Sequence, residues 1–196
     1  MKAMPSIRFL EKIKIKKKKE KERIESLGNK FKNKKTILGI DLSKAKPGIA
    51  VISLETKKVL YVDTYPSNEK NMYYRFLEIK YWLEDIITTF RPEVIMIEKE
   101  FIKTNRFGSN ATIPLLKLHG YVLFLIKSFG LPMYEILPTS ARAFLKIKPN
   151  TKEEAFNYIK KNFDELQLKE FKNDNDIADA IITALNYLNE KKKEVC

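Results

Sequence analysis

The chain has 196 residues, 44% of them hydrophobic and 32% charged, enough for one domain with a sizeable core. No stretch of eighteen apolar residues occurs, so no membrane span is expected, and the first residues lack the apolar core of a secretory signal. The net charge of +13 is uneven: residues 1–36 carry fourteen Lys or Arg against four Glu, a net of +10, which leaves +3 for residues 37–196. Acidic residues within that first segment argue against an organellar transit peptide. The single cysteine, Cys196, cannot support a disulfide framework, and a reducing, intracellular, cytoplasmic location is the default.

The composition divides the chain into a basic arm (1–36), a folded domain (37–190) and a short basic tail (191–196). The arm centres on Lys16-Lys17-Lys18-Lys19. Such a block draws polyanions through counterion release, with no sequence preference. No membrane-inserting apolar face accompanies it, which favours nucleic-acid binding over a merely solvated tail.

From Thr36 the chain turns apolar. Ile37–Ile40, Gly48–Leu54 and Val59–Asp63 read as three strands of an antiparallel meander, with Pro47 interrupting the first connection. Tyr73, Phe76, Leu77, Trp82, Ile86 and Ile87 recur at near-helical spacing until Arg91-Pro92. Val94–Ile97 is a buried strand, residues 113–129 a helix closed by Gly130-Leu131-Pro132, and Met133–Leu137 a fifth strand stopped by Pro138. Two further helices are expected, at about 151–163 and 174–189. The order implies an α/β fold: a mixed five-stranded sheet, its first strand central, flanked by helices.

Asp41 ends the first apolar run and Glu98 ends that of the fourth strand, while Asp176 and Asp179 stand three apart on the last helix. Under right-handed crossover the first and fourth strands are parallel neighbours, so both strand-end acids leave the sheet at one edge. Residues three apart share a helix face, and Ile177, Ile181, Ala184, Leu185 and Leu188 supply another face for packing on the sheet. Singly, each acid has a plainer reading: Asp41 as a turn cap, Glu98 as a partner of Lys99 or Lys103, Asp174 or Asp176 as a helix cap. Together they favour a shared site for Mg²⁺, with Mn²⁺ as substitute, because hard oxygen ligands occur without cysteine or paired histidine. Two such ions activate a water and stabilise a leaving oxygen in phosphodiester cleavage. The lone histidine, His119, lies in an apolar helix and reads as a satisfied structural residue.

Ile37-Leu38-Gly39-Ile40-Asp41 followed by Gly48-Ile49-Ala50-Val51 resembles the opening of RuvC-type Holliday-junction resolvases. Ile97-Glu98-Lys99-Glu100-Phe101, with Asn105 beyond, resembles their second motif, and Asp176-Ile177-Ala178-Asp179-Ala180 their closing one. The likeness runs in order from about Ile37 to Leu188. It implies an RNase H-like fold, a homodimer, and Mg²⁺-dependent nicking of opposed strands at a four-way DNA junction, with Asp41, Glu98, Asp176 and Asp179 as metal ligands and catalytic acids. It points to Phe101 as an aromatic wedge against junction bases; a base-stacking role and a core role are equally open. Lys152, and less closely Arg142, match basic positions that hold phosphates. Lys99, Lys103 and Arg106 flank the second motif as further DNA contacts.

Two departures mark a divergent, phage- or virus-like member. Leu42-Ser43 replaces the usual Pro-Gly after the first acid, and Lys146-Ile147-Lys148-Pro149-Asn150 replaces a glycine-rich loop. The alternatives are an RNase H-like nuclease that processes structured RNA and a non-catalytic junction-binding protein. An actin-like ATPase would repeat the fold, and this chain offers one copy.

Overall fold

The computed structural model describes residues 33–43, 46–99 and 112–194, with positions 18, 21, 22, 24–26 and 31 of the arm. Phe101, Lys103 and Arg106 lie outside the described residues. The chain divides into two compact units: residues 34–66 with 92–196, and residues 1–33 with 67–91.

The larger unit holds one five-stranded sheet in the order β3-β2-β1-β4-β5. These strands are β1 (Thr36–Asp41), β2 (Gly48–Ser53), β3 (Val59–Thr64), β4 (Val94–Glu98) and β5 (Met133–Ile136). β1 pairs antiparallel with β2 and parallel with β4; β4 pairs parallel with β5. All twelve residues of β1 and β2 are buried, so both faces of these strands are covered, as continuous apolar runs require. The edge strands β3 and β5 are only partly buried, and Tyr134 and Glu135 on β5 are exposed, which blunts that edge against further pairing.

Three helices of this unit position the site. The last, α5 (Phe171–Glu194), packs across β1, β2 and β4 and against α3 (Pro138–Phe144) and α4 (Lys152–Asn162). Its buried side chains Ala178, Ile181, Ile182 and Ala184 join Ile37, Ala50, Ile52 and Met96 in the core. Two glycines set how closely it lies. A Cβ on Gly39 would meet the Ala180 carbonyl oxygen at 2.2 Å, and one on Gly48 would meet the Asp176 carbonyl oxygen at 2.4 Å. Neither approach leaves room for a side chain, so these strand positions let the helix backbone rest directly on β1 and β2.

α3 is a helix beyond those expected from the sequence. Pro138 was expected only to stop the fifth strand, yet it stands at the first helical position, where its fixed φ and absent N–H do no harm. The last helix also begins a turn before its expected start. Asp174 Oδ2 accepts from the Lys169 (2.7 Å) and Glu170 (3.4 Å) N–H groups, folding back over the helix start. Asp174 therefore serves the helix end. α4 opens as the Thr-x-x-Glu pattern dictates: Thr151 Oγ1 accepts from Glu154 N–H at 3.2 Å, which places Lys152 in the first turn.

The smaller unit contains α1 (Met72–Phe90), capped by the Asn71 side chain and closed at Arg91 in the left-handed region. Phe76, Ile79, Trp82, Leu83, Ile86 and Ile87 are its buried stripe, whereas Tyr73 is exposed. Of the described arm residues, Ile24 is fully buried.

Candidate active site

The parallel register Ile40↔Ile97 puts the next residue of each strand, Asp41 and Glu98, side by side at one end of the sheet. On the other side of β1, Asp41 pairs with Gly48, the glycine over which α5 passes at Asp176. Sheet register and a missing side chain thus bring three segments distant in sequence to one place. Asp41 and Asp179 are buried and Asp176 is half-buried.

The electrostatics record the crowding. Burial first, then the charges of Glu98 and Asp179, push the Asp41 carboxyl well above the usual carboxylate range; Lys152 opposes this and Asp176 adds to it. Burial also raises Asp176; Lys46 and Lys152 act against it, Asp179 with it, and the neighbouring Asn175 amide against it. Burial works against the charge on Lys152, yet Asp179, Asp41 and Glu98 together raise its affinity for a proton and keep it cationic.

Two cations already hold Asp179. Lys152 Nζ lies 2.9 Å from Oδ2 and the Arg142 guanidinium 3.5 Å from Oδ1. The ammonium thus compensates the charge on buried Oδ2. Arg142 is itself buried, and it is fixed from behind. Asn186 on α5 donates through Nδ2 to the carbonyls of Ala141 (3.2 Å) and Ile182 (2.7 Å), tying α3 to α5. Replacing Arg142 by Met should therefore lower stability by about 3 kcal/mol, the low end of the range for breaking a buried pair, because Lys152 still faces Asp179. Urea denaturation checks this, and in an Asp179→Asn background most of the cost should vanish.

The remaining expected residues fall elsewhere or near the rim. Lys99 is exposed, and its N–H donates to the Ile136 carbonyl at 2.8 Å, continuing the β4–β5 pairing past Glu98. His119 on α2 (Thr112–Ser128) is buried, with Nε2 3.4 Å from Glu135 Oε1. Burial holds its proton affinity below the usual imidazole value, against the pull of Glu135, while Lys99 adds to the lowering and a bond to the Glu98 main chain opposes it. It packs against Glu135 and the Glu98 main chain.

Sequence reasoning missed Gly39, Gly48, Lys46 and Asn186. A glycine inside an apolar strand is a signal of close backbone approach, and a lone Asn among Ile181, Ile182, Ala184 and Leu185 marks a buried polar tie. Lys46, whose ammonium bonds the Asn173 carbonyl, carries no local signal at all.

The donor set is all carboxylate oxygen, and its buried repulsion is the kind a divalent cation relieves. Among the described residues, no three acid, histidine or cysteine side chains already clasp one point. The strand ends and helix that carry the acids are set by register, whereas a carboxylate turns about its own side-chain bonds. By donor chemistry the site fits a hard divalent ion.

A mixed sheet in this order, with acids ending its two central parallel strands and others on the helix laid across it, is an α/β architecture with the RNase H-like fold. The profile described as "Crossover junction endodeoxyribonuclease RuvC" matches residues 37–187. A crossover junction endodeoxyribonuclease RuvC of Rickettsia prowazekii is 28% identical over 159 residues, covering 80% of this chain and 98% of the relative. Thermus thermophilus RuvC, solved with a Holliday junction substrate, superposes with a TM-score of 0.64 at 20% identity, covering 81% of this chain and 96% of its own. The yeast mitochondrial Holliday junction resolvase superposes at 0.59 and 15% identity, covering 82% and 80%. The chain belongs to the RuvC family of crossover junction endodeoxyribonucleases, which are divalent-metal-dependent nucleases.

Proposed function

We propose that this chain is a structure-selective DNA endonuclease that resolves four-way junctions by Mg²⁺-dependent hydrolysis, two copies placing paired nicks. The observation that carries the reading is the buried charge cluster, in which Asp41 feels Glu98, Asp179 and Asp176 at the end of the central strands. Asp41, Glu98 and Asp176 or Asp179 would hold the metal, which when bound supplies an activated water and stabilises the leaving oxygen. Lys152, kept cationic by the acids around it, meets a non-bridging oxygen of the scissile phosphate. Arg142 orients Asp179 from the buried side. Phe101, Lys99, Lys103 and Arg106 are proposed to contact the junction beside the second acid. The arm of residues 1–36 and the tail of 191–196 are proposed as appended basic segments on a nuclease domain of 37–190, the arm adding nonspecific attraction for DNA.

The homodimer has its own support in α2. Leu118, Val122, Leu125 and Ile126 are buried, while Phe124 is 74% and Ile113 53% exposed on the opposite side. Lys117 and Gly120 are exposed between them on that face, so the contact proposed for a second copy centres on the Phe124 ring. Sedimentation at micromolar concentration should give a dimer for the native chain and a monomer for Phe124→Glu; a native monomer contradicts the proposal.

Incubation with a labelled four-way junction and Mg²⁺ tests the activity. Symmetric paired nicks are expected on the junction, with linear duplex and structured RNA left intact. Cleavage of the RNA instead, or tight junction binding with no metal-dependent product, overturns it.

A further inference from the structure

We infer that α4 and the turn before it form a second DNA contact, a groove for backbone phosphates separate from the acids. A groove of about 440 Å³ is lined by Lys146, Lys148 and Lys161, with Asn157, Tyr158 and Glu154. Three ammonium groups face one carboxylate there, although residues 37–196 as a whole carry only +3. Lysine, asparagine and tyrosine are side chains that meet phosphate oxygens and sugars without reading bases.

The groove is built rather than merely decorated. Ile147, between two of the lysines, is buried, and its N–H donates to the Arg142 carbonyl at 3.1 Å. Lys146 adopts φ 58°, and its N–H donates to the Ala143 carbonyl at 3.0 Å. Asn150 Nδ2 donates to the Thr139 carbonyl at 3.0 Å on the far side of the turn. Lys146 and Lys148 thus project from a pinned backbone, and less ordering is paid on binding. On α4, Glu154, Asn157, Tyr158 and Lys161 follow the i, i+3, i+4, i+7 spacing of one face. Lys152 lies nine residues before Lys161, about two and a half turns, and so points to the opposite side, toward Asp179. The groove is therefore not an extension of the acidic site. Lys146 and Lys148 come from the turn before α4, and Lys161 from α4 itself.

The identity of the polyanion rests on the DNA-nuclease reading above, and the test keeps the two separable. The full chain and the Lys146→Gln/Lys148→Gln/Lys161→Gln variant are titrated with plain duplex DNA by fluorescence anisotropy over a range of salt. The slope of log affinity against log salt should become shallower by about 2.7, three contacts at roughly 0.9 each, with at least a tenfold loss of affinity near 0.1 M salt. The corresponding triple Arg variant should keep both, which separates charge from folding. Junction nicking at saturating DNA should be unchanged in the Gln variant. An unaltered slope and affinity overturns the groove. If the native chain fails to nick junctions while the Gln variant still loses DNA affinity, the activity reading falls and the groove stands.

Discussion

Asp41→Asn should reduce junction nicking by on the order of 10³-fold or more while leaving junction binding intact. Lewis-acid and nucleophile-generating effects of a bound metal contribute several kcal/mol, and each 1.36 kcal/mol is a factor of ten. Asp41 is the acid through which the others are coupled, since Glu98, Asp179 and Asp176 all act on it. The same substitution should raise the metal-free melting temperature. Burial and like charge destabilise the ionised carboxylate, and an amide of the same shape removes that repulsion. Millimolar Mg²⁺ should then stabilise the native chain, by about 2.7 kcal/mol when the ion is at a hundred times its dissociation constant, and leave the variant unmoved. Stability and activity moving in opposite directions is the signature of a charge kept for chemistry. A variant that loses both would point to a structural carboxylate. Gel-resolved nicking and thermal melts with and without Mg²⁺ supply both readings.

Gly48→Ala should cost activity out of proportion to its size. The added methyl would stand 2.4 Å from the Asp176 carbonyl oxygen and 3.1 Å from the Asp176 Cβ, and the nearest obstacle is backbone. The start of α5 must lift from β2, carrying Asp176 and Asp179 away from Asp41. A displacement near 1 Å at a reacting centre costs about 10²-fold in rate, and overpacking about 1–3 kcal/mol in stability. Gly39→Ala is a companion variant that presses on α5 at Ala180, next to Asp179. Its methyl would strike the Ala180 carbonyl oxygen at 2.2 Å and the Ala184 side chain at 2.8 Å, farther along α5. It should destabilise at least as much. Urea unfolding and single-turnover nicking, measured on both variants, separate the two effects. Equal activity of Gly48→Ala and the native chain would mean that the close approach does not place the acids.

The sheet was legible because its physics is local. Apolar runs bounded by Pro, Asn and charged residues fix five strands, and right-handed crossover puts β4 beside β1, so Asp41 and Glu98 share an edge before any coordinate is known. The family relation was legible too, in the motifs from Ile37 to Leu188. What escaped was tertiary. Pro138 carries the same letter whether it stops a strand or starts a helix, and only the burial of Ala141 and Arg142 against α5 decides for α3. Gly39 and Gly48 look like motif letters until the helix is laid over them. The resemblance matches Arg142 to a basic position that holds phosphate, and the fold buries it beside Asp179. Beside that pair, Asn186 bonds the Ala141 carbonyl and ties α3 to α5, which no periodicity encodes.

The central claim is that carboxylates from β1, β4 and α5 share a divalent cation. Crystals soaked in Mn²⁺ and measured at its absorption edge test that without recourse to activity. The expected anomalous peak touches Asp41, Glu98 and at least one of Asp176 and Asp179, and disappears in Asp41→Asn. A peak seated on other residues, or none at saturating Mn²⁺, contradicts the account.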